Sequence, residues 1–270
     1  MSVLLIDIGN TRIKWALWHR GRLSHMQAAF HAGWSRKDYE RHLFGPPGRR
    51  PSVPTEVLVA SVAGPRVNQR VAAAARHASG ARARFIATTR RAAGVTTRYR
   101  ETWRLGVDRF AGVIGARALL PATGACVINA GTAVTIDLLD PQGVHRGGAI
   151  LPGPRLMVSS LLDGTAGIER RARENSTKRR SGGGSHVALF ARSTRDAIEE
   201  GARYAVASAV DRAVVEARRV LGKTPKVLVT GGGADELEPL IRARHVRVPD
   251  LVLRGIAAHA GLALRRVGRA

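Results

Sequence analysis

The first segment whose residues could bind a ligand covers residues 7–14. It reads Asp-Ile-Gly-Asn-Thr-Arg-Ile-Lys and lies between two apolar runs. We expect Gly9 to turn the backbone with a positive φ and to let an anion approach closely, while successive turn N–H groups form an anion-binding nest. The Asn and Thr that follow add side-chain donors, Lys14 adds a positive charge, and Asp7 is suited to hold Mg²⁺ through water. The alternative is an ordinary hairpin turn with Lys14 on a solvated face.

A second segment of the same kind lies within residues 126–139. Both segments contain an apolar run, an Asp or Asn, a spacer, a Gly, a small polar residue and a further apolar run. Asp7 corresponds to Asn129 and Gly9 to Gly131, at an offset of 122 residues that is close to half of the chain. This match predicts two similar halves, whose two loops would grip the two ends of a polyphosphate.

The third segment, Leu105–Arg109, lies at the start of a predicted helix. Asp108 is suited to accept a proton from a substrate hydroxyl, as a catalytic Asp does in phosphoryl transfer. Arg109 is suited to bind a carboxylate through two parallel hydrogen bonds. The alternative is that Asp108 caps the helix or that the two residues form a surface ion pair.

Strands and helices must position these segments, and the apolar patterning predicts both. Period-two alternation over Arg12–Trp18, after the apolar run Val3–Ile8, predicts a β-hairpin around Gly9. Further strands are predicted at Val57–Val62, Phe85–Ala87, Cys126–Leu139 (strand, turn, strand) and Lys226–Thr230, and Gly147–Gly153 is predicted to be a strand edge and turn. Helices are predicted at Val67–Ala78, Asp108–Leu120, Arg195–Leu221, Ala234–Ala243 and Leu251–Val267. Strands precede helices throughout, which indicates an α/β fold with a boundary near Leu120-Pro121.

Two further segments are predicted to be loops. Residues 44–54 contain four Pro and two Gly, and residues 170–185 are basic and then Gly/Ser-rich, which is typical of a mobile loop.

Composition supports a globular protein with a strong positive charge. The 270 residues are 44% apolar, which is enough for a core and excludes a fully disordered chain. There are 39 Arg and 5 Lys against 20 acidic residues, for a net charge of +24. Such a charge attracts polyanions as well as small phosphorylated or carboxylated ligands, but the Arg residues are spread along the whole chain and mark no binding face.

Several classes of protein and site are excluded or disfavoured by the sequence. The single cysteine, Cys126, permits no intramolecular disulfide and indicates a reducing compartment. No apolar stretch is long enough to span a membrane and the N-terminus lacks signal-peptide features, so we expect a cytoplasmic location and no membrane partner. The P-loop, the G-x-G-x-x-G fingerprint, zinc-ligand spacing and the G-x-S-x-G elbow are all absent from the sequence.

Seven motifs in order resemble those of the type III pantothenate kinase family, which includes proteins described as Bvg accessory factors. The motifs are DIGNTRIKW at 7–15, Tyr99 ahead of LGVDR at 105–109, NAGTAVTID at 129–137, GGAILPG at 147–153, GTAGI at 164–168, RSTRDAIEEG at 192–201 and TGGGAD at 230–235. Each motif is weak by itself, but seven in the family's order cover nearly the whole chain and are specific.

The resemblance implies the actin-like kinase fold, in which two RNase-H-like halves, residues 1–120 and 121–270, surround a nucleotide cleft. It also implies an enzyme that uses ATP with Mg²⁺ to phosphorylate pantothenate to 4'-phosphopantothenate, the first step of coenzyme A biosynthesis. A homodimer is implied as well. No specific nucleic-acid partner is expected.

Position by position, the resemblance implies a role for each matching residue. The ATP-binding residues are Asp7, Ile8, Gly9, Asn10, Thr11, Arg12, Ile13, Lys14 and Thr132. The pantothenate-binding residues are Tyr99, Gly106, Val107, Asp108, Arg109 and Thr194, with Asp108 as the catalytic proton acceptor.

The chain departs from the family at Asn129, where most members have an Asp that binds a monovalent cation, K⁺ or NH₄⁺, and at Thr102, where Pro is common. The change at Asn129 puts the cation site in doubt. The alternative function is that of a basic regulatory protein which binds nucleic acid on a relic kinase fold. The low aromatic content of 4% counts against it, because few side chains could stack on bases.

Overall fold

The chain folds into a mixed α/β structure with two β-sheets, as seen in a computed structural model. The structure describes residues 1–45, 53–165, 167–168, 172 and 189–264. An α/β fold was predicted from the order of apolar runs, and this prediction is confirmed.

The first sheet contains the N-terminal hairpin at its centre. Its strands are β1 (Ser2–Ile8), β2 (Arg12–His19), β3 (Arg22–Leu23), β4 (Gln27–Phe30), β5 (Glu56–Ser61) and β6 (Ala83–Phe85). Their order is β3-β2-β1-β5-β6, with β4 also pairing with β2. Strand β1 is antiparallel to β2 and parallel to β5, so every residue of β1 is buried between neighbours on both sides.

Helices cover both faces of this sheet. Residues of α1 (Arg36–Phe44) and α2 (Pro65–Ser79) share one apolar cluster with alternate residues of β1 and β5. Residues of α3 (Val107–Leu119) and of a C-terminal helix, Leu251–His259, share the cluster on the other face. The alternating side chains of β1 divide between the two clusters, as strand geometry requires.

Helix α3 is held unusually close to the helix Leu251–His259. A Cβ on Gly255 would collide with the carbonyl oxygen of Ala111, and a Cβ on Gly115 would collide with that of Leu251. Only glycine allows these backbones to approach so closely. This contact matters for the site, because α3 carries Asp108 and Arg109 in its first turn.

The second sheet has the order β13-β12-β9-β10-β11-β8-β7 among the described residues. Its strands are β7 (Arg91–Ala92), β8 (Val95–Thr97), β9 (Ala125–Ala130), β10 (Ala133–Leu139), β11 (Val144–Pro152), β12 (Lys226–Thr230) and β13 (His245–Arg247). The remaining helices are α4 (Pro154–Gly164), α5 (Thr194–Leu221), α6 (Ala234–Leu237) and the C-terminal helix already described, α7 (Leu251–His259). Short 3₁₀ helices occupy Thr102–Arg104 and Glu238–Leu240.

The chain divides into two compact units. The first unit comprises residues 1–127, 137–147 and 248–270, and the second comprises 128–136 and 148–247. The boundary at residue 120 between two RNase-H-like halves stays a prediction. In the part of the chain that the structure describes, no helix has both the length and the apolar character needed to cross a bilayer.

Two predicted helices are shorter in the structure. The helix expected over Ala234–Ala243 ends at Leu237 and continues only as a 3₁₀ turn, which contains Pro239. The helix expected over Leu251–Val267 ends at His259, shortly before Gly261 adopts a left-handed φ of 74°. The predicted mobile loop at 170–185 and most of the loop predicted at 44–54 lie outside the described residues.

Candidate functional site

The predicted first phosphate loop is the tight connection between β1 and β2. Gly9 N–H donates to the carbonyl oxygen of Arg12 at 3.0 Å, which closes the turn. The positive φ expected at Gly9 is wrong, because this residue is not in the left-handed region. Glycine is favoured here for a different reason: a Cβ would lie only 3.2 Å from the Arg12 carbonyl oxygen.

A buried histidine, His31, contacts the backbone of this loop. His31 Nε2 lies 2.8 Å from the carbonyl oxygen of Gly9, and Nδ1 lies 2.9 Å from the hydroxyl of Tyr39. A carbonyl oxygen only accepts hydrogen bonds, so Nε2 donates to Gly9, while Nδ1 is hydrogen-bonded to the Tyr39 hydroxyl. Both side chains are buried, and they therefore fix the position of the Gly9 carbonyl.

Asp7 and Lys14 face each other across the hairpin. They are paired in the strand register, and Lys14 Nζ lies 3.7 Å from Asp7 Oδ2. The Lys14 side chain is only 12% exposed, so the alternative that placed it on a solvated face is wrong. Burial raises the pKa of Asp7 to about 6, Lys14 opposes this rise, and the nearby negative charge of Asp108 adds to it.

Asp108 lies in the first turn of α3, with its carboxylate folded back over the helix start. The N-cap of this helix is Gly106, so the alternative role of Asp108 as the cap is wrong. A Cβ on Gly106 would lie 2.7 Å from Asp108 Oδ1, which explains the glycine two residues before the acid. Burial raises the pKa of Asp108, while the backbone N–H of Arg109 and the Arg109 charge lower it.

Arg109 points into the first unit and binds a carboxylate of this chain. Its Nε donates to Asp137 Oδ2 at 3.0 Å and its Nη2 donates to Asp137 Oδ1 at 2.7 Å. Its Nη1 donates to the hydroxyl of Tyr99 at 3.0 Å. Three of the five guanidinium N–H groups therefore have partners within the described residues, and one remains on each Nη.

Tyr99 lies just after β8 and is half-buried. Its ring stacks on His145 with centroids 5.8 Å apart and an interplanar angle of 13°. Arg90 supports the same segment from its backbone side, with Nη1 donating to the carbonyl oxygens of Thr97 and Tyr99 and Nη2 donating to that of Arg100. The position of Tyr99 is thus determined by contacts on several sides.

The predicted second phosphate loop is closed by a hydrogen bond of the same length as the first, but it is one residue shorter. Gly131 N–H donates to the Ala133 carbonyl oxygen at 3.0 Å, and a Cβ on Gly131 would lie 3.2 Å from that oxygen. Both values equal those at Gly9. The prediction that residues 126–139 form strand, turn and strand is confirmed.

Glycines of two other motifs pack against this second loop. Gly153 N–H donates to the Thr132 carbonyl oxygen at 2.8 Å, and Gly233 N–H donates to that of Ala130 at 2.9 Å. A Cβ on Gly153 or on Gly231 would collide with backbone of residues 130–132. The motifs GGAILPG and TGGGAD therefore supply backbone that lies directly on the loop.

Asn129 and Thr194 also lie in the second unit. Asn129 is the penultimate residue of β9 and is half-buried. Thr194 is the first residue of α5, next to the N-cap Ser193, whose hydroxyl accepts from the Asp196 backbone N–H at 3.1 Å. The structure brings Asp7, Lys14 and Asp108 together in the first unit.

The carboxylates of Asp7 and Asp108 in the first unit fit a divalent cation that is also bound by oxygens of a ligand. Asp7 and Asp108 supply carboxylate oxygens, the ligands that Mg²⁺ prefers. Burial is the main cause of the raised pKa of Asp7, and the negative charge of Asp108 adds to the rise; a bound cation would relieve this repulsion. Among the described residues no group of three or more His, Cys, Asp or Glu side chains could hold a metal, so a cation here would need oxygens from water and phosphate.

Four residues near the site were not singled out from the sequence. They are Asp137, His145, His31 and Thr97. Asp137 carried a readable signal, since a charged residue within the apolar strand Ala133–Leu139 must have a partner when it is buried. The three others have no such signal, because their partners are distant in the sequence.

Comparison with solved structures supports the fold. A Campylobacter jejuni protein described as a Baf family transcriptional activator matches with a TM-score of 0.52 and 19% identity, covering 96% of this chain and 98% of that one. The activator of 2-hydroxyisocaproyl-CoA dehydratase from Clostridium difficile, solved with bound ADPNP, matches with a TM-score of 0.50 and 14% identity, covering 96% and 93%. The predicted actin-like ATPase and kinase fold is confirmed.

Comparison at the sequence level is more specific. A type III pantothenate kinase from Alkalilimnicola ehrlichii is 36% identical over 254 residues, covering 94% of this chain and 96% of the relative. One from Halorhodospira halophila is 38% identical over 265 residues, covering 94% and 95%. The family model described as type III pantothenate kinase matches residues 3–216, a range that includes both glycine loops, Asp108 and Thr194. This chain therefore belongs to the type III pantothenate kinase family.

Proposed function

We propose that this protein transfers the γ-phosphoryl group of ATP to the primary hydroxyl of pantothenate. The observation that carries the proposal is the pair of acids in the first unit. Asp7, in the glycine loop, and Asp108, at the start of α3, are close enough for the charge of one to raise the pKa of the other. A kinase needs one acidic group at the phosphates and one at the acceptor hydroxyl.

On the ATP side, the residues of the first loop bind phosphate oxygens. Ile8 and Ile13 have side chains in the apolar core, so their contribution comes from the backbone, while Lys14 contributes its charge. Thr132 in the second loop provides a further contact to ATP. Mg²⁺, when bound, neutralises charge on the phosphates, and Asp7 is the residue that would hold it, through water.

On the acceptor side, the residues around the start of α3 bind pantothenate. Tyr99, the backbone of Gly106–Val107 and the two free Nη–H groups of Arg109 orient it, and Thr194 supplies a further contact. Asp108 takes the proton of the primary hydroxyl of pantothenate while the hydroxyl oxygen forms a bond to the γ-phosphorus. The bond from that phosphorus to the β,γ-bridging oxygen breaks, ADP leaves, and 4'-phosphopantothenate forms.

A raised pKa suits Asp108 to this role. A carboxylate in water is a weak base at neutral pH, and burial moves its pKa towards the operating range of the enzyme. The backbone N–H and the charge of Arg109 act in the opposite direction and lower this pKa.

Three further properties belong to the proposal. Asn129 supplies a neutral oxygen to a monovalent cation, K⁺ or NH₄⁺, that activates the enzyme. The protein acts as a homodimer, which light scattering on the purified chain measures directly. It works in the cytoplasm without a specific nucleic-acid partner.

The test is ADP formation by the purified protein with and without pantothenate, together with the mass of the product. We expect ADP formation to require pantothenate and the product to carry one added phosphoryl group. An analogue whose primary hydroxyl is replaced by hydrogen is the matched control and should give no product. ATP turnover that does not depend on pantothenate would refute the assignment.

A further inference from the structure

Three buried polar residues form a network that is hydrogen-bonded to Tyr99 and Arg109, two residues predicted to bind pantothenate. It consists of Asp137, His145 and Thr97, which are 1%, 0% and 1% exposed. All three belong to the first unit, on β10, β11 and β8. No role has been assigned above to His145 or Thr97, and burying such polar groups is costly unless each has a partner.

The hydrogen bonds of this network connect the three residues in one chain. Asp137 Oδ1 accepts from His145 Nε2 at 2.9 Å, in addition to the hydrogen bond that it accepts from Arg109. The other ring nitrogen of His145, Nδ1, is hydrogen-bonded to the Thr97 hydroxyl at 3.1 Å. The same hydroxyl oxygen accepts from the Tyr99 backbone N–H at 3.3 Å.

These bonds form a closed circuit around Tyr99. One branch runs from Asp137 through His145 and Thr97 to the backbone of Tyr99. The other runs from Asp137 through the guanidinium of Arg109 to the phenol oxygen of Tyr99. The ring of Tyr99 lies between the two branches, stacked on His145 and 5.8 Å from the Arg109 guanidinium carbon.

We propose that His145 and Thr97 are positioning residues for the acceptor site, which act by holding Tyr99 and, through Asp137, Arg109. The proposal rests on the function proposed above, because it assumes that Tyr99 and Arg109 bind pantothenate. It assigns neither residue a contact with substrate. A displacement of a bound group by about 1 Å costs up to about 10²-fold in rate, so loss of this support has a measurable effect.

The support acts on pantothenate and not on ATP. The first phosphate loop has its own buried histidine, His31, which holds the Gly9 carbonyl. Among the residues that the structure describes, two histidines are buried and form two hydrogen bonds each, next to two different sets of predicted binding residues. The same substitution at the two positions should therefore have opposite effects on the two substrates.

The experiment compares His145→Leu with His31→Leu in steady-state kinetics at varied pantothenate and varied ATP. We expect His145→Leu to raise the KM for pantothenate about tenfold or more and to leave the KM for ATP unchanged. We expect His31→Leu to raise the KM for ATP and to leave that for pantothenate unchanged. Equal changes in both constants in both variants would show a merely structural role and overturn the proposal.

Milder variants keep the test decisive where leucine prevents folding. Thr97→Val keeps the shape of the side chain but removes both hydrogen bonds of the hydroxyl, and it should also raise the KM for pantothenate selectively. His145→Gln keeps an amide N–H that can reach Asp137, and it should recover part of the loss caused by leucine. Wild-type constants in Thr97→Val would overturn the proposal.

The assay of the wild-type protein distinguishes failure of the positioning role from failure of the proposed function. A wild-type enzyme that phosphorylates pantothenate, with variants that show no selective effect, overturns the positioning role and leaves the proposed function intact. A wild-type protein that does not phosphorylate pantothenate overturns both.

Discussion

The carboxylate of Asp137 accepts two parallel hydrogen bonds from Arg109, at 3.0 Å from Nε and 2.7 Å from Nη2. Both side chains are almost completely buried, at 1% and 5% exposure. Removing one partner of such a pair would leave an uncompensated buried charge, which typically costs about 3–5 kcal/mol. Because Asp108 is the neighbour of Arg109, this ion pair also determines where the proposed catalytic base is presented.

The catalytic role of Asp108 is tested by Asp108→Asn. We expect kcat to fall by about 10²–10⁴-fold with ATP binding nearly intact, because the amide cannot take the hydroxyl proton. Asp38→Asn is a matched control, since Asp38 also lies in the first turn of a helix, α1, but outside the site. Steady-state kinetics and ATP titration measure both effects, and wild-type turnover in Asp108→Asn would exclude the role as base.

The buried Asp7 predicts a specific pH dependence of stability. Its pKa is raised from 3.8 to about 6 in the folded protein, so the folded state binds this proton more tightly than the unfolded state does. The stabilisation that Asp7 contributes through this proton is therefore fully present below pH 4 and is lost as the pH rises through about 6. At higher pH the stability no longer changes through Asp7. Its size is roughly 3 kcal/mol, from 1.36 kcal/mol for each pKa unit.

Urea unfolding of wild type and Asp7→Asn between these pH values, without Mg²⁺, measures this loss. The free energy of unfolding of wild type should fall relative to that of the variant as the pH rises. Asp38→Asn is a control with the opposite pH dependence. The pKa of Asp38 is lowered by its hydrogen bonds to Ser35, so the stabilisation from Asp38 is lost as the pH falls. A wild-type to Asp7→Asn difference that is constant with pH would contradict the prediction.

The cation site is tested by Asn129→Asp. An amide oxygen still coordinates K⁺, as carbonyl oxygens do in potassium-channel filters, but it lacks the charge of a carboxylate. We expect K⁺ or NH₄⁺ to activate the wild type only at higher concentration than it activates the variant. Titration of K⁺ at fixed ionic strength, with choline as the replacement, measures the two midpoints. A flat wild-type curve would remove the cation from the mechanism, and equal midpoints would remove the electrostatic argument.

The close contact of α3 with α7 predicts a destabilising substitution outside the site. In Gly255→Ala the new methyl group would collide with the Ala111 carbonyl oxygen, so the helices must separate at a cost of about 1–3 kcal/mol or more. Gly201→Ala is the control, because a Cβ there meets nothing within 4 Å and should stabilise α5 by about 0.5–1 kcal/mol. Thermal unfolding compares the two, and equal stability of both variants would contradict the packing argument.

The charge of +24 predicts weak binding of nucleic acid without sequence preference. Such binding depends on the release of counterions, so the affinity for a labelled DNA duplex should fall steeply as the salt concentration rises. Fluorescence anisotropy at low and at physiological salt, with several unrelated duplexes, measures it. One duplex bound far more tightly than the others at physiological salt would favour the regulatory alternative.

Local spacing was enough to predict the elements that hold the loops. The alternation at Arg12–Trp18 and the apolar run before it predicted the hairpin β1–β2, and the limits of α3 were predicted to within one residue. Helix α1 was missed, although Ser35 and Asp38 form a capping box that the sequence displays. Its length of nine residues offers little periodicity from which to identify it.

The sequence by itself determined the glycine residues of the two loops, Asp7 in the first loop and the place of Asp108 in the first turn of a helix. These depend on neighbours within a few positions, where spacing and backbone geometry suffice. Only the tertiary structure decided that Arg109 binds Asp137, 28 residues away, and that His145 is hydrogen-bonded to Asp137 whereas His31 is hydrogen-bonded to the Gly9 carbonyl oxygen. Such partners are brought together by strand pairing and by the packing of helices on sheets. A local sequence pattern does not indicate which distant side chains then contact each other in the interior.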